Sequence, residues 1–274
     1  MWIEAQEGDP QAASRRATEF ARAALPGVDI EIFSDGMWVR RVGGCYFPDP
    51  DLFRTETPNW QRWAGLEQKY LRDAHDYWFH LYKPRAGDTI VDIGAGRGED
   101  VFAFSRAVGS GGHVIAVEPH PVSFAVLEKF CALNRLENVT RIHRACVDRP
   151  ETLQIETLPV WESNYVRPGE RSPSSFPVDG VRFDDLYAGP IDFLKMNIEG
   201  AERRALPGCR ESLSRARFAC VAAHDFRADR GEGEEFRTLC LVREFLAGCG
   251  FELVTRDSDP RYYVPYHVHG RKPY

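Results

Sequence analysis

From about residue 87 onward, short runs of β-branched and aromatic residues alternate with helical segments, and this alternation constrains the fold more than any other feature of the chain. Strands separated by helices form βαβ units, whose strands lie parallel in one sheet. The sequence therefore predicts an α/β protein with a doubly wound, mainly parallel seven-stranded sheet. The predicted strands are residues 89–93, 113–118, 140–147, 191–197, 218–223, 251–255 and 262–268.

Residues 1–84 do not follow this alternation, and we expect them to form an N-terminal helix and hairpin appendage to a domain of residues 85–274. Asp9-Pro10 is typical of a helix start, and Ser34-Asp35-Gly36 is typical of the link in a hairpin. A second predicted helix, residues 57–81, carries a stripe of tryptophan, tyrosine and leucine. Such a stripe usually packs into a core, although it could also cover an active site or pair with a second subunit in a homodimer.

Charge and composition exclude several classes of protein. The 274 residues include 35 Lys plus Arg and 41 Asp plus Glu, for a net charge of −6, which argues against nucleic acid as a partner. The N-terminus is acidic and the apolar runs are short, so we expect no signal peptide, no membrane span and a cytoplasmic location. The seven cysteines are scattered, which predicts free thiols rather than disulfides or a zinc ribbon.

Two further features could have functional roles. Residues 162–179 are rich in proline, serine and glycine and are predicted to form a loop that closes over an acceptor, where Arg167 and Arg171 could meet an anion. His267 and His269 alternate on one predicted strand and should share a face. They would bind a metal only if other segments supplied further ligands, so no metal site is predicted from the sequence.

The sequence VDIGAGRGED at residues 91–100 carries the strongest chemical signal. Gly94, Gly96 and Gly98 follow a predicted strand and precede a helix, so backbone can approach a ligand closely. Glu118 ends the next strand about 20 residues later, where a carboxylate can bind ribose hydroxyls. This combination is typical of a site for an adenosine-containing cofactor.

The spacing distinguishes between two such cofactors. A dinucleotide fingerprint requires a third glycine at position 99, but Glu99 and Asp100 stand there and would repel a pyrophosphate. S-adenosyl-L-methionine has no phosphate, and Asp92 could orient its ammonium group. An NAD-dependent oxidoreductase is further disfavoured because Tyr165 lacks a lysine four residues later.

These motifs resemble the FkbM-type S-adenosylmethionine-dependent methyltransferases, which have the Rossmann-like class I methyltransferase fold. The resemblance covers residues 85–255 and is carried most specifically by IDFLKMNIEGAERRALPG at residues 191–208. It implies that Gly94, Gly96 and Gly98 form the cofactor turn and that Glu118 binds the ribose, in addition to the cofactor contact expected of Asp92. It also implies that the segment of Cys146, Val147 and Asp148 meets the adenine edge.

The same resemblance implies an O-methyltransferase that acts on a hydroxyl of a sugar, a glycan precursor or a secondary metabolite. Asn197, Glu199 and His224 are the candidate catalytic residues, with His224 as the expected proton acceptor. Two positions depart from the family pattern, since Asn197 and Ala222 each stand where a carboxylate is usual. A non-catalytic module that binds S-adenosylmethionine but has lost its base is therefore the alternative.

Overall fold

The computed structural model describes residues 8–54, 58–156, 166–167 and 175–273, with backbone alone at 166–167. The helices are α1 (Pro10–Ala24), α2 (Trp60–Ala64), α3 (Leu66–Asp73), α4 (Glu99–Val108), α5 (Pro121–Leu133), α6 (Glu202–Ala205), α7 (Arg210–Arg215), α8 (Asp225–Asp229) and α9 (Leu239–Gly248). The strands are β1 (Ile30–Ser34), β2 (Trp38–Val42), β3 (Cys45–Pro48), β4 (Thr89–Ile93), β5 (His113–Val117), β6 (Val139–Ile142), β7 (Ala145–Cys146), β8 (Glu151–Glu156), β9 (Val166–Arg167), β10 (Ser175–Val181), β11 (Phe193–Met196), β12 (Phe218–Ala222), β13 (Glu252–Val254) and β14 (His267–Arg271).

The centre of the fold is a seven-stranded sheet in the order β13-β14-β12-β11-β4-β5-β6. The five strands from β12 to β6 pair in parallel, whereas β14 is antiparallel to both of its neighbours. Most of the predicted strands appear within two residues of their expected bounds. The doubly wound α/β prediction is therefore confirmed.

Two of the seven strand predictions were partly wrong. The segment 140–147 is divided, because the chain turns at His143-Arg144 and β7 joins a different sheet from β6. The last strand begins at His267 rather than at residue 262, since Val264–Tyr266 form a 3-10 turn. This later start still places both histidines of the predicted pair in β14.

A second sheet, β7-β10-β8-β9, was not anticipated. Its strand β10 covers residues 175–179 of the predicted loop and pairs antiparallel with β8 along its length. That part of the loop prediction is therefore wrong, because ladder hydrogen bonds compensate for its turn-rich composition. Residues 162–165 and 168–174 lie outside the described residues, so closure of this segment stays a prediction.

The appendage packs directly on the main domain. Asp9 caps α1 by accepting from the backbone N–H of Ala12, and β1 and β2 form the expected hairpin, to which β3 adds a third strand. The second predicted helix is broken at Gly65 into α2, α3 and a π-helical turn, Ala74–Trp78. Tyr70 of this region packs against Phe102 of the main domain at 6.5 Å between ring centroids. The apolar stripe is thus part of a shared core.

None of the helices in the described part of the chain is long and apolar enough to cross a membrane.

Candidate active site

One crevice opens where β4, β5 and β11 end, at the carboxyl edge of the parallel strands. Open α/β sheets bind their ligands at this edge. Its wall is formed by the glycine-rich turn after β4, by Glu118 after β5, and by Asn197 and Glu199 after β11. Ile155 of β8 closes the side nearest the second sheet.

The turn after β4 can be built only with glycine at its key positions. Gly94, Gly96 and Gly98 have φ angles of 83°, 56° and 100°, in the left-handed region that residues with a Cβ rarely adopt. A Cβ on Gly94 would lie 2.0 Å from the backbone oxygen of Asn197. The turn therefore brings bare backbone to the crevice and lies directly against the end of β11.

Glu118 is held in place by backbone donors. Its two carboxylate oxygens accept from the N–H groups of Gly96 and His120, each at 2.8 Å. Burial raises the pKa of Glu118 to about 7, although these two donors lower it. Each carboxylate oxygen can accept more than one hydrogen bond, so the group can still bind two neighbouring hydroxyls.

Beneath the turn lies a buried ion pair. The Nζ atom of Lys195 in β11 is 2.7 Å from Asp92 Oδ1 and donates to the carbonyl of Gly94 at 2.8 Å. Burial raises the pKa of Asp92 to about 7 against the lowering effect of Lys195. Asp92 is fully buried, so its carboxylate supports the turn from below, whereas Asp100 lines the crevice. The expected contact of Asp92 with the cofactor is therefore not favoured by this geometry.

The segment expected at the adenine edge is only partly in place. Cys146 lines the crevice, but Val147 is buried and its N–H donates to the carbonyl of Val181. Asp148 is exposed and does not lie among the lining residues. The contacts predicted for Val147 and Asp148 stay predictions, which this geometry does not favour because β7 pairs with β10 of the second sheet. Ile155 lines the crevice at this point, which the sequence pattern did not predict.

On the opposite side, Glu199 has an unusual conformation. Its φ angle is 55°, which is rare for a residue other than glycine and asparagine, and it occupies the turn that follows β11. One carboxylate oxygen is 3.2 Å from His224 Nε2, and the other accepts from Arg227 at 2.9 Å. Burial opposes ionisation, but these two partners lower the pKa of Glu199. A negative charge is thus fixed at the rim of the crevice.

His224 lies behind Glu199 rather than facing the crevice. Its Nδ1 atom is 3.0 Å from Glu202, so each ring nitrogen contacts a carboxylate. Burial would lower the pKa of His224, but Glu202 and Glu199 outweigh it and raise the pKa to about 10. At neutral pH the ring is therefore an imidazolium that donates from both nitrogens. The geometry does not favour His224 as the proton acceptor.

Three residues of this arrangement were missed by the sequence reasoning: Lys195, Glu202 and Arg227. Lys195 and Glu202 lie within the block 191–208, where a lysine inside an apolar strand and an acid three residues after Glu199 were available as signals. Arg227 gave no such signal. It reaches Glu199 from α8, which begins just after β12 ends.

The crevice fits S-adenosylmethionine better than a dinucleotide. Glu118 faces the glycine turn as a hydroxyl acceptor, and Glu99 and Asp100 begin α4 where a pyrophosphate would otherwise bind. With the doubly wound sheet, this site defines the class of S-adenosylmethionine-dependent methyltransferases.

The chain belongs to the FkbM methyltransferase domain family, whose model matches residues 92–253. Among curated proteins, it is 26% identical over 260 residues to an arsenite methyltransferase from Halobacterium salinarum. That match covers 82% of this chain and 65% of the relative, so the chain spans about two thirds of the length of that protein.

The structure of an FkbM methyltransferase agrees with the fold. The chain is similar to the methyltransferase FkbM from Methylobacillus flagellatus, with a TM-score of 0.50 and 16% identity over 78% of this chain and 55% of that one. It also matches fibrillarin from Aeropyrum pernix in complex with S-adenosylmethionine, with a TM-score of 0.45 and 14% identity over 90% of this chain and 84% of that one. Membership of the FkbM methyltransferase family identifies S-adenosylmethionine as the cofactor.

Proposed function

We propose that this protein is an O-methyltransferase that methylates a hydroxyl of a sugar, a glycan precursor or a secondary metabolite. The observation that supports this role is Glu199, whose carboxylate is held at the crevice rim by His224 and Arg227 in a left-handed backbone conformation. Strained residues that their surroundings hold in place are frequent at functional sites. A fixed carboxylate at this point can orient a hydroxyl group by accepting its proton in a hydrogen bond.

In this proposal, different residues of the chain bind the cofactor and the acceptor. When bound, the cofactor supplies a methyl group that is already activated by its sulfonium, so that alignment of the acceptor is the main requirement. Glu118 and the glycine turn bind and orient the adenosine end. Glu199 would hold the acceptor hydroxyl and take its proton when the oxygen displaces S-adenosylhomocysteine from the methyl group. Asn197, at the end of β11, lines the crevice between these two groups.

In this proposal His224 is a positioning residue. The imidazolium of His224 holds the carboxylate of Glu199 in place. Glu202 in turn holds His224 and also accepts from the hydroxyl of Thr238. The pH profile separates this role from that of a base. If His224 positions Glu199 as a cation, kcat should be flat near neutral pH and fall as the pH approaches 10. If neutral His224 takes the proton, kcat should instead rise over that range.

A panel of hydroxylated acceptors with labelled S-adenosylmethionine tests the proposal. We expect methyl transfer to at least one polyhydroxylated compound. The alternative, a non-catalytic binding module, predicts binding of S-adenosylhomocysteine without transfer to any acceptor. Transfer only to amine or thiol acceptors would contradict the O-directed role, and transfer only to carboxylates would contradict a hydroxyl acceptor.

Arsenite is a second candidate acceptor, suggested by the relative from Halobacterium salinarum and by a thiol pair at the crevice wall. Cys146 lines the crevice, and the buried Cys209 lies in the same core cluster as Cys146. Soft thiolates favour soft acceptors, but the Cys146 thiol and burial raise the pKa of Cys209 and oppose the thiolate. Arsenite carries its own lone pair, so its methylation should not depend on Glu199. Including arsenite in the panel distinguishes the two.

A further inference from the structure

Three side chains of types that commonly bind metals meet inside the core, where β12 pairs with β14. Cys220 of β12 lies directly opposite His269 of β14 in the antiparallel ladder. His267, two residues earlier, points to the same face of the sheet. One ligating atom from each of the three lies within 4.8 Å of the other two.

Burial leaves this cluster with unmet hydrogen-bonding capacity. Cys220, His267 and His269 are all buried, with His269 only 1% exposed. Among the described residues, His267 Nδ1 and His269 Nε2 are buried without a hydrogen-bond partner. Buried polar atoms in native proteins nearly always have partners, and each orphan costs free energy. Two orphaned imidazole nitrogens beside a thiol therefore point to a ligand.

The donor set suits zinc. Imidazole nitrogen and cysteine sulfur are ligands that zinc prefers in proteins. Zinc binds cysteine as a thiolate, so binding displaces the thiol proton of Cys220.

Neighbouring cations do not leave the cluster with uncompensated positive charge. Lys195 pairs with Asp92 at 2.7 Å. His224 lies 3.0 Å from Glu202 and 3.2 Å from Glu199. Arg256 pairs with Asp76 at 3.0 Å and with Asp259 at 2.7 Å. The imidazole of His80 also lies beside the cluster, with its ring centroid 5.1 Å from that of His269. An added cation therefore meets ion pairs rather than bare positive charges.

We propose that Cys220, His267 and His269 bind a zinc ion that links the antiparallel edge of the sheet to its parallel centre. One zinc–sulfur bond and two zinc–nitrogen bonds form, and the S–H bond of Cys220 breaks with release of its proton to solvent. Zinc binds such ligands at about 2.0–2.3 Å, which requires the ligating atoms to come about 3.5 Å apart, a small contraction of the present cluster. His267 also lines a cavity with Tyr77 and Tyr263, which provides an entry route and room for a fourth ligand.

The test measures zinc binding in the full chain after treatment with a chelator. Every form carries Cys240→Ser, because Cys240 is an exposed thiol that could bind zinc by itself. The variants are Cys220→Ser and His269→Gln, and the matched control is Cys131→Ser, which removes another buried thiol outside the cluster. Zinc is titrated in competition with a chromophoric chelator. Cobalt substitution reports a thiolate ligand through its charge-transfer absorption.

We expect one zinc per chain, a thiolate-to-cobalt band in the parent, and at least tenfold weaker binding in both variants. The Cys131→Ser control should bind zinc as the parent does. Zinc should raise the melting temperature of the parent and of this control, but not that of the two variants. Absence of one-to-one zinc binding, or of the cobalt band in the parent, would overturn the proposal even if the variants failed to fold. Binding of Cu⁺ without Zn²⁺, or equal loss in the control, would also overturn it.

Discussion

The two sides of the crevice are built in different ways. The side proposed for the cofactor, called the cofactor side below, consists mainly of backbone: three glycines with positive φ, and two backbone N–H groups that hold the Glu118 carboxylate. The side proposed for the acceptor, called the acceptor side below, consists of charged side chains, in which Glu199, His224 and Glu202 hold one another in place. A side built from backbone is specified by local sequence and has little freedom to vary. A side built from charges depends on residues brought together by the fold and can be altered one charge at a time.

The largest expected effect comes from removing the charge at the acceptor side. Glu199→Gln keeps the size of the side chain but loses the proton acceptor, so kcat should fall by about 10²- to 10⁴-fold. Binding of S-adenosylhomocysteine should stay within about threefold, or about 0.6 kcal/mol, because it depends on the other side. Steady-state kinetics and calorimetry measure the two quantities.

Glu232→Gln is the matched control for that substitution. Glu232 binds the other edge of the same Arg227 at 2.7 Å, so its loss removes a carboxylate without touching Glu199. Turnover close to that of the parent is expected. Equal losses in the two variants would mean that general disturbance of Arg227, rather than the role of Glu199, controls the rate.

The converse substitution is on the cofactor side. Glu118→Ala removes a charged acceptor from two ribose hydroxyls, each bond being worth on the order of 1.5–3 kcal/mol, so S-adenosylhomocysteine should bind at least tenfold more weakly. Calorimetry with NAD as a second ligand gives the contrast, since no NAD binding is expected. Unchanged affinity in the variant would remove Glu118 from the binding site.

A smaller effect should follow from pH. The pKa of Glu118 is raised to about 7, so the carboxylate is mainly protonated below that pH and ionised above it. The ionised form is the better acceptor, and affinity for S-adenosylhomocysteine should therefore rise severalfold between about pH 6 and pH 8. Glu118→Gln should flatten this dependence. A dependence that persists in the variant would belong to Asp92, whose pKa is also about 7.

The smallest effect is expected where the appendage meets the glycine turn. Arg97 of the turn pairs with Asp51 at 2.6 Å and with Asp49 at 3.4 Å. These carboxylates are partly exposed, so Arg97→Gln should lower the free energy of unfolding by no more than about 1 kcal/mol. Urea denaturation measures it, and the double variant with Asp51→Asn should cost little more than the single one. Additive losses would show that the pair does not act as a unit.

What the sequence could predict follows the same division. The glycine turn and Glu118 follow two consecutive parallel strands, β4 and β5. Their spacing along the chain was therefore enough to predict that they lie at the same edge of the sheet. The contact of His224 with both Glu199 and Glu202 depends on the neighbouring positions of β11 and β12, which no local pattern specifies. The strand β10 was missed because Pro177 and its serine-rich surroundings indicate a turn, while pairing with β8 determines the structure.

The close approach of Gly94 to Asn197 has a consequence for how such a chain can diverge. A side chain at position 94 would collide with the backbone oxygen of Asn197, and no side-chain substitution at another position removes that oxygen. A chimera that joins the first half of this chain to the second half of a relative should therefore tolerate exchanges around Glu118 and Glu199, provided that both parents have glycine at this point. The residues that contact ligands can therefore differ between the two halves, but the close contact between positions 94 and 197 must be present in both parents.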